Sequence, residues 1–258
     1  MKNAIITGGS SGIGLALANE LVTRGYRVAL LARRLEHLER EASRLRESGA
    51  EVVAVQCDVT LAQEVRSGVQ RVVEQWGPID LVIANAGLGL PTPAVGFDLG
   101  NAEAMMRTNF FGMIYLFDAV VPSMIERRTG HFAGIASLAG LRGLPTSGVY
   151  SASKAAMQAF LEAVRVELAQ FGVAVTIVNP GFVRTDMTSK NNFTMPFLME
   201  ADDAAARIVT GLERRCATIE FPLGTSLMMR FARALPTAVF DRVMRGHVNR
   251  ETRSSLNG

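Results

Sequence analysis

Apolar positions in this chain fall into short continuous runs separated by longer stretches in which they recur every three or four residues, and the two patterns alternate. Residues 3–7 (NAIIT), 27–31 (RVALL), 51–56 (EVVAVQ), 81–84 (LVIA), 130–136 (GHFAGIA), 174–178 (AVTIV) and 218–221 (TIEF) suit buried strands. Between them, helical spacing is carried by Ile13, Leu17 and Leu21, by residues 35–48, and by Val65, Val69, Val72 and Trp76. It continues over residues 102–127, 150–171 and 202–215. Strand and helix alternate without an internal repeat or a linker, which predicts a single-domain α/β fold over residues 1–258. Its form is a Rossmann-like, doubly wound parallel β-sheet with helices on both faces.

Composition narrows the function. A hydrophobic fraction of 48% supports a large core, and a net charge of +3 with 27 basic residues scattered among 24 acidic ones offers no nucleic-acid surface. Cys57 and Cys216 lie far apart, and His37, His131 and His247 have no metal-ligand spacing, so neither a disulfide framework nor a metal site is expected. The N-terminus enters a glycine turn at once, and no run of eighteen apolar residues follows. A soluble cytoplasmic protein with no transmembrane segment is expected.

The first strand ends in Thr7-Gly8-Gly9-Ser10-Ser11-Gly12-Ile13-Gly14, and a helix follows. Strand, glycine turn and helix form a phosphate cradle: glycine lets the backbone approach a pyrophosphate, and the helix N-terminus offers free N–H groups. After the second strand comes Ala32-Arg33-Arg34, where an NAD site places a carboxylate for the ribose hydroxyls. Two guanidinium groups suit a 2′-phosphate, so NADP is inferred over NAD, with Arg33 the main contact; the competing reading is that both arginines open a charged helix. The fourth strand runs into Asn85-Ala86-Gly87, small enough at its end for a cofactor to lie across the sheet. Asn109 sits beside Phe110 and Phe111, where a buried amide must find partners. The fifth strand delivers Ser137, and Tyr150 and Lys154 stand four apart on one helix face, so the ammonium is expected to lower the phenol's pKa.

Thr7-Gly8-x-x-x-Gly12-x-Gly14, Asp58, Asn85-Ala86-Gly87, Asn109, Ser137, Tyr150-x-x-x-Lys154 and Pro180-Gly181-x-x-x-Thr185 together resemble the short-chain dehydrogenase/reductase family, over residues 3–188. The resemblance implies that Gly8, Gly12 and Gly14, with Ser10, Ser11 and Ile13, line the pyrophosphate. It implies that Asp58 and Val59 meet the adenine, and that Asn85, Ala86 and Gly87 steady the sheet and cofactor. Lys154 would hold the nicotinamide ribose, and Pro180, Gly181, Val183 and Thr185 would reach the carboxamide. It further implies an NADPH-dependent reduction of a carbonyl, ketone or aldehyde, to an alcohol, or the reverse. Tyr150 would donate the proton, Ser137 would polarise the carbonyl, and Asn109 would anchor a water linking Lys154 to solvent. A non-catalytic NADP-binding sensor of the same fold is the alternative.

Beyond Thr185 the sequence is individual. Residues 186–200, with Phe193, Met195, Phe197, Leu198 and Met199, read as a substrate lid for an apolar, lipid-like substrate or as a loop packed on the core. Residues 222–258 form a C-terminal extension with an amphipathic basic pattern over 223–243, broken at Pro236. It could wall the pocket, contact a second subunit or lie on a membrane as a peripheral helix. Ala152, Ala155, Ala156, Ala159 and Ala163 give the Tyr150 helix a small-residue face, and a homodimer or homotetramer is expected.

Overall fold

The computed structural model describes residues 1–189 and 194–256, with side chains described as far as Gly246. Seven strands form one parallel sheet: β1 (Lys2–Thr7), β2 (Tyr26–Ala32), β3 (Val52–Gln56), β4 (Leu81–Ala84), β5 (Gly130–Ile135), β6 (Val173–Pro180) and β7 (Thr218–Phe221). Their order is β3-β2-β1-β4-β5-β6-β7, so the direction of winding reverses between β1 and β4.

The strands are continuously apolar because both faces are covered. Ile5, Ala29, Val82, Phe132 and Val175 pack under α3 (Ala62–Trp76), α5 (Gly112–Arg127) and α6 (Gly148–Ala169). Their sequence neighbours Ala4, Ile6, Val28, Leu30, Leu81 and Ala133 face α1 (Gly12–Thr23), α2 (Leu35–Arg46) and α7 (Ala201–Glu213). The period of two along each strand thus splits one apolar run between two cores.

Three elements differ from the sequence reading. The helix expected over 102–127 starts earlier, as α4 (Leu99–Met105), because the Asp98 carboxylate caps it by accepting from the Asn101 N–H at 2.9 Å. It is then interrupted by a π-turn, Met106–Phe111, before α5 begins. A π-turn inserts a residue without changing composition, so helical periodicity does not register it. β6 runs two residues past the expected stop, to Pro180, because the Gly181 N–H donates to the Phe221 carbonyl at 2.7 Å and carries the ladder beyond the proline.

The C-terminal extension divides at Pro236, as its pattern predicts, into α8 (Leu223–Ala234) and α9 (Thr237–Leu256). Among the described residues, Leu99–Arg127 is the segment long and apolar enough to cross a membrane, with mean hydropathy 1.3. Here Met105, Met113, Leu116, Val120, Val121 and Met124 bury its apolar side.

At the far end of the sheet His131 is buried between strands. The Thr176 hydroxyl donates to the Cys216 carbonyl at 2.6 Å and so accepts from His131 Nε2–H at 2.8 Å, which fixes a neutral tautomer. Burial, reinforced by Arg215 and Lys2, pulls the imidazole from 6.5 down to about 4. Between those values the unfolded chain binds a proton that the folded chain refuses, so stability is lost as pH falls from about 6.5 to about 4. We predict a loss approaching roughly 3 kcal/mol from this group. Urea unfolding across that range should show a slope that flattens in His131→Gln, and an unchanged slope would remove His131 as its source.

Candidate active site

The site begins where the winding reverses, because helices leave β1 and β4 in opposite directions and open a crevice at the strand ends. Asn85 closes the bottom of that crevice. Its amide donates to the carbonyls of Thr7 at 3.0 Å and Gly8 at 3.2 Å, while the Thr7 hydroxyl accepts from the backbone N–H groups of Asn85 and Ala86, both at 3.1 Å. Gly8 turns the chain with φ +67°, and a Cβ there would lie 2.9 Å from the Ala86 Cα. Gly12 opens α1 with φ +54°. Ser11, at the N-cap of α1, makes no side-chain capping bond. The first amides of α1 therefore have no capping oxygen and face an open cradle, the arrangement that accepts a pyrophosphate.

A cleft of about 550 Å³ runs along this edge. Gly8, Ser10, Ser11, Gly12, Ile13, Arg33, Arg34, Asp58, Val59, Asn85, Ala86, Gly87, Ser137, Tyr150, Lys154, Pro180, Gly181, Val183 and Thr185 all line it. Two residues of the expected set do not. Gly14 lies behind the loop, where a Cβ would be 2.2 Å from the Gly8 carbonyl oxygen and 2.5 Å from the Asn85 amide nitrogen. Its requirement is helix-to-turn packing, not an open approach to a ligand. Asn109 is fully buried behind the cleft wall. At the β2 end Arg33 and Arg34 are exposed, and among the described residues neither guanidinium is held in an ion pair. Asp58 faces the cleft with one oxygen engaged by the Thr60 N–H and hydroxyl, at 2.9 and 2.8 Å.

The polar groups at the other end are held from behind. The Asn109 amide donates to the Leu88 carbonyl at 3.0 Å and the Ser153 hydroxyl at 2.9 Å, and its oxygen accepts from the Leu88 N–H at 2.7 Å. Ser153 donates in turn to the Tyr150 carbonyl at 2.8 Å. Both amide protons of Asn109 are thereby used, so its side chain braces the Tyr150 turn. Thr92, which the sequence reading passed over, ties the loop before α4 to the start of α6. Its N–H donates to the Thr146 carbonyl at 2.7 Å, and its hydroxyl accepts from the Val149 N–H at 3.4 Å.

The electrostatics also depart from expectation. Burial raises the Tyr150 phenol above its ordinary value of 10, and a hydrogen bond with Ser137 pulls the other way. Lys154 is lowered to about 8 by burial; its ammonium donates to the Ile135 carbonyl at 2.8 Å and stands 5.8 Å from the centre of the tyrosine ring. The group that favours the phenolate here is Ser137, and desolvation outweighs it. At neutral pH the pocket holds a protonated phenol beside a lysine closer to neutrality than usual.

Behind Ser137 stands a relay that spacing does not reveal. Gln158 donates to the Ser137 carbonyl and to the Asn179 side-chain oxygen, both at 2.8 Å. Asn179 passes its own amide to Glu220 at 3.3 Å, and Glu220 accepts from Ser226 at 2.5 Å and Arg230 at 2.9 Å. Despite partial burial, bonds from Arg230, Ser226 and Asn179 hold the Glu220 carboxyl below its ordinary value. Asn179 marks a strand end in the sequence; its amide is the one signal that could have pointed to the relay.

The apolar segment after Thr185 is pinned at its base. Val183 bridges to Met199, and the Arg184 N–H donates to the Met199 carbonyl at 2.8 Å. Met199 packs on the core with α7, contrary to a covering role. Met187 lines the cleft, its sulfur 3.2 Å from where a Cβ of Gly89 would stand. Thr188, also on the cleft, ties this turn to Val183 at 2.7 Å. Phe193 lies with residues 190–193 outside the described residues.

The family model described as short chain dehydrogenase matches residues 2–195. The chain belongs to the short-chain dehydrogenase/reductase family. An uncharacterized oxidoreductase of Myxococcus xanthus (strain DK1622) is 40% identical over 244 residues, covering 95% of this chain and 96% of that protein. Among solved structures, a variant of actinorhodin polyketide ketoreductase with NADPH superposes with TM-score 0.80 at 29% identity, covering 87% of this chain and 97% of that one. An alcohol dehydrogenase from the archaeon Thermococcus sibiricus, complexed with 5-hydroxy-NADP, gives TM-score 0.77 at 29% identity, covering 86% of this chain and 95% of that one. As a member of the family, the chain is an oxidoreductase that works with a nicotinamide cofactor.

The relay generates a prediction. Gln158→Ala leaves the Asn179 side-chain oxygen unpaired, at a cost of about 1–3 kcal/mol, and leaves the Ser137 carbonyl with the Gly140 N–H, at 3.0 Å, as its remaining donor. The thermal midpoint should fall, and kcat should drop roughly tenfold with the cofactor's KM little changed, because Ser137 is misplaced while the phosphate cradle is not. Steady-state kinetics with each ligand varied in turn would measure this split; an unchanged kcat would show that Ser137 is held without Gln158.

Proposed function

We propose that this chain reduces the carbonyl of an apolar ketone or aldehyde to an alcohol, or runs the reverse reaction, with NADPH as the preferred partner. The observation that carries the reading is the gathering of Ser137, Tyr150 and Lys154 at one end of the cleft, the Ser137 hydroxyl near enough to act on the acidity of the Tyr150 phenol and the Lys154 ammonium 5.8 Å from its ring centre. Two hydroxyls converging on one point are what a carbonyl oxygen needs as it gains charge: one to polarise it and one to protonate it.

A bound nicotinamide cofactor supplies the hydride. Tyr150 carries its proton at neutral pH because burial favours the phenol, and it delivers that proton to the substrate oxygen as charge develops there. Ser137 accepts its position from the Ala139 N–H at 3.1 Å and from the relay behind it, which keeps the hydroxyl aimed at the same point. Lys154 lies between Tyr150 and the Ile135 carbonyl, where it can hold a ribose hydroxyl and return a proton to the tyrosine. Asn109 and Ser153 fix the turn from which Tyr150 projects. Gly87 leaves room beside them, since a Cβ there would stand 3.6 Å from both the Asn109 oxygen and the Lys154 nitrogen.

An apolar substrate is favoured by Met187, which lines the cleft, and by the apolar composition of the segment that follows it in the sequence. NADPH is favoured by Arg33 and Arg34, which line the cleft at the β2 end and among the described residues enter no ion pair, with no carboxylate following that strand in the sequence. The NADPH and 5-hydroxy-NADP bound to the two solved relatives support the same choice.

Tyr150→Phe should lower kcat by roughly 10²–10⁴-fold while NADPH still binds, as read by quenching of its fluorescence. Near-full turnover in that variant would sink the assignment. Arg33→Asp should reduce kcat/KM for NADPH by roughly tenfold to a hundredfold and raise it for NADH, the expected cost of losing a charge-assisted pair. An unchanged ratio between the two cofactors would place the phosphate elsewhere.

A further inference from the structure

Helix α8 is amphipathic in the wrong sense for a surface helix. Thr225 and Ser226 are 3% and 5% exposed, whereas Leu227 and Phe231 are 58% and 68% exposed. Leu223, Leu227 and Phe231 follow each other at four-residue intervals, so they form one ridge pointing away from the body of the protein. Val239 and Val243 extend exposed apolar surface onto α9.

Charge accompanies the ridge. Residues 222–258 hold six arginines, Arg230, Arg233, Arg242, Arg245, Arg250 and Arg253, against Asp241 and Glu251. The chain's net charge of +3 is therefore concentrated here, and the remainder is close to neutral. Arg230 is paired with Glu220, and Arg233 lines a recess with Glu162 and Glu220 on the side of α8 away from the ridge, but among the described residues Arg242 and Arg245 enter no ion pair.

We propose that this face docks on an anionic lipid bilayer, the α8 ridge entering the headgroup boundary and the arginines meeting lipid phosphates. An apolar ridge flanked by cations is what an interfacial helix presents to such a surface. A second copy of the chain fits less well, since a two-fold contact would set these unpaired arginines against one another. Continuity with the cleft supports the same partner. Phe197, from the segment beyond Met187, lies against the first turn of α8, its ring 2.7 Å from where a Cβ of Gly224 would stand, and is itself 60% exposed.

The test uses the full chain and vesicles of phosphatidylcholine alone or with phosphatidylglycerol. Co-sedimentation should recover at least roughly tenfold more protein on the anionic vesicles at low salt, with the excess falling as salt rises. Leu227→Asp combined with Phe231→Asp should remove that binding, and Arg242→Gln combined with Arg245→Gln should weaken it; both should leave the thermal midpoint near its original value. No binding of the wild-type chain to anionic vesicles would overturn the proposal. So would equal binding of the aspartate variant, or a wild-type dimer in sedimentation velocity that the aspartate variant converts to monomer, which would assign the ridge to a second copy.

Discussion

The cleft depends on a clamp between two neighbouring strand ends. Thr7 and Asn85 exchange four hydrogen bonds with each other's surroundings where β1 and β4 finish, at the point where the sheet's winding reverses. The phosphate turn leaves one strand and Asn85-Ala86-Gly87 leaves the other, so the clamp fixes the distance between the cradle and the floor of the reaction site. Gly14 is part of the same constraint: its lack of a Cβ lets the first turn of α1 close onto the Gly8 carbonyl. A loosened clamp would shift both ends of the cofactor relative to each other.

Around that floor the protein accepts buried polar groups and satisfies them in series. Asn109 holds Ser153, Ser153 holds the Tyr150 carbonyl, Gln158 holds the Ser137 carbonyl, and Asn179 and Glu220 continue the line toward α8. Low polarity makes each unpaired member costly, which rigidifies the array. The same low polarity sets the protonation states. Burial holds the Tyr150 phenol above its ordinary value and brings Lys154 down to about 8.

Much of this was legible in the sequence because it rests on local rules. Alternating periods of two and 3.6 mark the strands and helices, and glycine at Gly8 and Gly12 marks a turn that needs positive φ. The misses share a cause: each depends on which side of an element a residue faces, or on partners distant in sequence. Gly14 looked like another cradle glycine but faces inward. Asn109 was visible as a buried amide, yet the π-turn that carries it adds a residue without a compositional trace. Gln158 reads as an ordinary helix residue until the fold brings Ser137 and Asn179, each 21 positions away, to its two amide protons.

The C-terminal extension shows why facing matters for function as well as for packing. Its amphipathic pattern was plain in the sequence, but an amphipathic helix covering its own core would turn Leu227 and Phe231 inward. Here the hydroxyls face inward instead, because the ground beneath α8 is polar: Ser226 answers Glu220, the last acceptor of the line from Ser137. Arg142 fastens the corner between α8 and α9 to the turn that follows Ser137, donating to the carbonyls of Arg233 and Leu235 at 2.9 and 3.2 Å and lying 4.1 Å from the Phe240 ring centre. The outward ridge is thus rigidly referenced to the reacting end of the cleft.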